Sequence, residues 1–105
     1  MDRIIHHEEG SILNIMTLIM DSSDNSEPHY NKDRDEVIFV LEGDLKILFD
    51  SDQSIEISSS DKKPWHLIKS NTTHQLIPLS NKVEVLEIIG GLHKPDSCII
   101  TKFKN

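Results

Sequence analysis

A chain of 105 residues has room for one domain, residues 1–105, with a single modest core. Only 36% of the residues are apolar, and the net charge of −7 argues against nucleic acid or an anionic membrane as partner, since both call for a positive surface. The one cysteine, Cys98, excludes an intramolecular disulfide framework and suits a reducing compartment; it reads as a small packed side chain rather than a catalytic thiol.

The opening "MDRIIHHEEG" lacks a basic segment followed by a long apolar run, so it does not read as a secretory leader, and a cytoplasmic location is expected. Its His6 and His7 read as part of a charged, solvated stretch. Ile12 to Met20 predicts the first long strand, although a buried helix fits so apolar a run, and it is too short to span a membrane. "DSSDNSEP" has the composition of a loop. "EVIFVLE" (Glu36 to Glu42) is the clearest strand, "EGDL" turns, and "LKILF" (Leu45 to Phe49) completes a hairpin in which Gly43 supplies a positive φ. A short strand at Ile55 to Ile57, then "WHLIK", "HQLIPL" and "VEVLEII", follow between polar turns, and "LHKPDSCIITKF" can add one more. Short branched-residue strands without an amphipathic helix, in a chain with no alanine, predict an all-β sandwich or barrel. The expected core includes Val37, Phe39, Leu41, Leu45, Ile47, Leu76, Val85 and Leu86.

Polar residues at the start of the clearest strand need a reason. His29 and Asn31 are two apart and share a face of an extended segment, and Glu36 shares a face with Ile38 and Val40. A carboxylate starting a strand covered on both sides wants a cation, a metal or several donors. Tyr30 lies on the face opposite His29. His66 beside Trp65 reads as half-buried packing that could also face the same cavity as His74, and His93 as a surface residue.

The spacing His29-x-Asn31-x4-Glu36-x6-Gly43 resembles the first motif of the cupins, H-x-H-x(3,4)-E-x6-G. "KSNTTH" resembles their second, P-x-G-x2-H, with Lys69 in place of proline, Asn71 in place of glycine and His74 as the histidine. Asparagine tolerates the left-handed region that such a turn needs. The phrase "VEVLEIIGGLHKPD" further resembles the small WbuC-type cupins of surface-polysaccharide gene clusters. The resemblance covers roughly residues 12 to 100 and implies a double-stranded β-helix, a small jelly-roll barrel. It also implies that His29, Glu36 and His74 converge at the barrel mouth to hold a divalent transition metal (iron, manganese, zinc or nickel), with Asn31 as a weak ligand where the family has a second histidine.

Three functions follow from that resemblance. A metal-binding cupin would polarise a carbonyl or hydroxyl of a sugar-type small molecule. A metal-free isomerase or epimerase of nucleotide sugars would use a histidine as base, tuned by Glu36. A non-catalytic module would only bind its ligand. A homodimer is expected as well, because small cupins pair and the apolar Ile12 to Met20 strand reads as an exposed edge.

Overall fold

The computed structural model describes residues 1–9, 13–50, 52–90 and 98–103. The expectations for Ile12, His93 and the Cys98 side chain fall outside them. The described residues form ten strands and no helix: β1 Asp2–Glu9, β2 Leu13–Asp21, β3 His29–Asn31, β4 Asp35–Glu42, β5 Asp44–Asp50, β6 Gln53–Ser58, β7 Trp65–Ile68, β8 Gln75–Pro78, β9 Lys82–Gly90 and β10 Cys98–Ile100. No helix long and apolar enough to cross a membrane is present among them.

One sheet runs β1-β2-β9-β4-β7 and a second β6-β5-β8. An antiparallel bridge between His29 and His74, with reciprocal backbone bonds of 2.9 and 2.8 Å, extends the second sheet into the β3-β10 pair. Every strand pairing is antiparallel, as alternating faces and short turns demand. Between the two layers lies an aliphatic core of Leu18, Met20, Ile38, Val40, Leu45, Ile47, Ile57, Ile68, Leu76, Val83 and Val85.

The register lays the inward side chains of the first sheet in rows. Glu8, Asn14, Ile89, Glu36 and Ile68 form the first row, then Ile5, Met16, Glu87, Ile38 and His66. The next row is Arg3, Leu18, Val85 and Val40. Polar residues thus crowd one end of the barrel, and aliphatic ones fill the rest.

Parity corrects part of the expected core. Leu45, Ile47, Leu76 and Val85 are buried, but β4 turns Glu36, Ile38 and Val40 inward. Val37, Phe39 and Leu86 are therefore half-buried on the outer face, and Leu41 is 46% exposed. The run Val-Ile-Phe-Val-Leu is apolar on both faces, so hydrophobicity alone does not choose between them.

The N-terminal stretch expected to be merely solvated is β1, an exposed strand along the edge of the sheet. His7 is exposed there, and His6 Nε2 hydrogen-bonds Thr17 Oγ1. β2, the strand predicted from Ile12 to Met20, is consequently not an edge, because it lies between β1 and β9. β1 escapes a hydrophobic reading because its Ile4 and Ile5 are only two apolar residues among charges.

Three turns depend on left-handed backbone. Gly43 has φ of 83°, and a Cβ there would stand 2.2 Å from the Lys82 carbonyl oxygen. Asn71 has φ of 65° and Asp33 of 60°. Their loops are clasped: Asn71 Oδ1 accepts from the Asp33 N–H over 3.1 Å, and the Asn71 N–H donates to the Asn31 carbonyl over 2.9 Å. That clasp holds the turn before His74 against the loop between β3 and β4.

Candidate metal centre

The bridge that joins β3 to β8 makes His29 and His74 direct cross-strand partners, so both imidazoles project from the same face. Their ring centroids are 4.3 Å apart, with the planes inclined by 58°. Glu36 reaches them from β4 on the opposite sheet, and its Oε1 lies 3.0 Å from His74 Nε2. One potential ligand atom from each of His29, Glu36 and His74 lies within 4.8 Å of the others. Glu36 and His74 are fully buried, and His29 is half-buried.

The backbone fixes which imidazole nitrogens face inward. His29 Nδ1 stands 2.7 Å from the Glu27 carbonyl oxygen, and His74 Nδ1 2.8 Å from that of Thr72. A carbonyl only accepts, so both Nδ1 atoms carry the proton and, in the neutral rings, both Nε2 atoms present lone pairs. Burial lowers the pKa of both histidines, and for His29 the neighbouring His74 adds to the effect, so the neutral form is favoured. His74 Nε2 and an ionised Glu36 would then be two acceptors face to face at 3.0 Å. Such an arrangement calls for a proton or a cation between them, and this donor set suits a divalent transition metal.

Asn31, 4% exposed, lies beside the cluster, with Nδ2 donating to Glu36 Oε1 over 3.4 Å. His66 does not join it: the ring packs at 5.6 Å from Phe49, and its pKa is lowered by burial and by Lys63.

The centre opens onto a cavity of about 250 Å³ whose lining includes Arg3, Asn14, His29, Arg34, Glu36 and Glu87. Four of these, Arg3, Asn14, Arg34 and Glu87, escape a sequence reading. Glu87 is 4% exposed and hydrogen-bonded to Glu36. Burial, then the Glu36 carboxylate, pushes its pKa well up, and burial raises that of Glu36 as well, so the two carboxyls favour sharing a proton. Arg34 is also buried, and Asn14, turned with its amide oxygen toward the guanidinium, accepts from Nη1 over 2.7 Å. A signal for Glu87 does exist in the sequence: it shares its parity with Val83, Val85 and Ile89, which makes it a charge on an interior face. Arg34, in a turn of mixed charges, gives no such signal.

No family model and no curated protein matches the chain. Solved structures do. A protein with a double-stranded β-helix domain from Klebsiella pneumoniae superposes with a TM-score of 0.80 at 8% identity, over 96% of this chain and 84% of that one. A cupin-2 domain protein from Shewanella frigidimarina gives 0.66 at 21% identity, over 83% and 78%. A DMSP lyase from Ruegeria pomeroyi gives 0.78 at 14% identity, over 99% of this chain and 53% of the lyase. Two facing antiparallel sheets, the His29–His74 bridge and these superpositions together identify the fold of the chain as the cupin double-stranded β-helix.

Proposed function

We propose that this protein is a small metal-dependent cupin that binds and turns over a sugar-type small molecule. His29 and His74, through Nε2, and the Glu36 carboxylate would hold a divalent transition metal. The observation that carries this reading is the tautomer arrangement: both Nδ1–H groups are committed to backbone carbonyls, which leaves two lone pairs and a carboxylate facing one point. When bound, the metal would supply Lewis acidity toward an oxygen of the ligand.

The protein's own groups set the rest. Asn31 holds the Glu36 carboxylate by its amide donor, Glu87 shares a proton with that carboxylate, and the buried side of the cavity limits water around the ligand. Elemental analysis of untagged protein tests this reading. About one equivalent of iron, manganese, zinc or nickel is expected, and protein that stays metal-free after incubation with each ion would overturn it. The same experiment on Asn31→His is expected to show tighter binding, because imidazole is the better ligand for late first-row metals.

The direct contact of His74 with Glu36 favours one alternative, a metal-free isomerase or epimerase that uses the imidazole–carboxylate pair as an acid-base unit. Turnover of nucleotide sugars in the presence of a strong chelator would select it. We also propose that the protein pairs with itself through the outer face of the five-stranded sheet, not through an edge. Ile15, Ile19, Val37, Phe39, Leu86 and Ile88 form a contiguous, half-buried apolar surface there. A sedimentation profile showing only monomer at about ten micromolar would count against it.

A further inference from the structure

Glu87 Oε1 is buried, borders the cavity, and has no hydrogen-bond partner among the described residues. A buried polar atom left so is costly, and a ligand that satisfies it recovers that loss. Arg3 Nη2 stands 4.0 Å from this same oxygen, too far for a hydrogen bond but near enough for one small group to touch both.

The two atoms ask for opposite things. An acceptor oxygen wants a hydroxyl or ammonium hydrogen, whereas a guanidinium wants an anionic oxygen. A second guanidinium, that of Arg34, lines the cavity as well. The carboxylate on the Arg3 strand that faces the same opening, Glu8, is exposed at the rim, where solvent and salt screen it. A carboxylate with a hydroxyl on the adjacent carbon presents both groups within one short unit.

We propose that the cavity takes a small hydroxy acid, sugar acids included, whose carboxylate lies against Arg3 and whose neighbouring hydroxyl donates to Glu87 Oε1. This inference rests on the metal-centre reading only for the chemistry that would follow binding; recognition of the acid is a property of Arg3 and Glu87. At about 250 Å³ the cavity falls at the small end of ligand pockets, which suits an acyclic or single-ring acid better than a nucleotide sugar. Arg3 is over half exposed on an edge strand, so it can be changed without disturbing the core.

The experiment is a calorimetric titration of the full chain with D-gluconate and with D-glucitol, its counterpart without the carboxylate, in metal-loaded and chelator-treated protein. Gluconate is expected to bind at least about tenfold more tightly, the scale of one charge-assisted hydrogen bond. Arg3→Gln is expected to collapse that preference. Glu87→Leu is expected to weaken gluconate by about tenfold, while Glu87→Gln, which can both donate to Glu36 and accept at the vacated oxygen, retains it. Equal affinity for the two probes, no binding of either, or an unchanged preference in Arg3→Gln would each overturn the proposal. Metal content, measured on the same samples, reports on the other reading separately. Metal bound without gluconate preference sinks only the acid, and gluconate preference without metal uptake sinks only the metal centre.

Discussion

The two ends of the barrel follow opposite rules. In the aliphatic part, Leu18, Ile47, Leu76, Val83 and Val85 fill the space between the sheets and are essentially fully buried. Side chains of this kind each contribute roughly 1.5–3 kcal/mol on leaving water. At the other end the same two sheets enclose His74, Glu36, Glu87, Asn31 and Arg34, all at most 4% exposed. Burial there works against the fold, since it pushes both glutamates away from their charged form and both histidines likewise. A chain with only 36% apolar residues has little reason to bury so much polarity unless that end has a ligand to meet. The aliphatic end supplies the stability that lets the polar end exist.

Separating the two ends by mutation is the sharpest way to break this comparison. Ile47→Ala is expected to lower unfolding stability by about 2–5 kcal/mol, the usual range for a large-to-small change in a core, while metal content per folded protein stays the same. His74→Ala is expected to do the converse: the metal is lost, and the far-ultraviolet circular dichroism remains that of a β protein. Urea titration and elemental analysis of both variants decide the matter. If Ile47→Ala also loses its metal while folded, or His74→Ala fails to fold, the ends are not independent.

A smaller effect depends on pH. The folded-state pKa of Glu87 is raised, so the folded protein holds this proton more tightly than the unfolded chain does. The stability it contributes is complete below the ordinary glutamate range near about 4.3 and is lost as pH rises toward the folded pKa. His29 and His74, with lowered pKa values, act in the other direction: stability is regained as pH rises through their folded pKa values toward about 6.5. Comparing Glu87→Gln with the wild type isolates the first contribution. The melting temperature of the metal-free variant is expected to exceed that of the wild type more at about pH 8 than at about pH 5. An equal difference at both would mean that Glu87 does not hold a proton in the fold.

The fold was far more legible than the composition of the site. Strands β4, β5 and β9 stand out because branched residues alternate between clear turns, and the motif residues bring His29, Glu36 and His74 to one place. Three things stayed hidden for physical reasons. β4 is apolar on both faces, so only the inward carboxylate of Glu36 tells which face is inside. β1 is held by backbone pairing to β2 and not by hydrophobic periodicity, so its charged sequence gives no sign of a strand. Arg3 and Arg34 reach the cavity from an edge strand and a turn, where a charged residue is ordinary. Glu87 also went unread, although its interior parity between Val85 and Ile89 is a signal that could have found it.

The smallest expected effect concerns the turn that presents His74. Asn71 stands where the cupin motif that this turn resembles has glycine, and its φ of 65° lies in the region that costs an ordinary L-residue about 1–2 kcal/mol. Asparagine lowers that cost, and here its side chain also accepts from the Asp33 N–H and donates over 3.4 Å to the Asp33 carboxylate. Asn71→Gly removes the side-chain clasp but relieves the backbone, so the two changes oppose each other and stability is expected to shift by less than about 1 kcal/mol. Asn71→Ala removes the clasp and keeps the strain, and is expected to cost about 1–2 kcal/mol in a urea titration. The backbone bond from the Asn71 N–H to the Asn31 carbonyl survives in both, so the His29–His74 bridge and the metal stoichiometry should be retained. Equal destabilisation by glycine and alanine would show that the clasp, and not the left-handed backbone, is what asparagine contributes at this position.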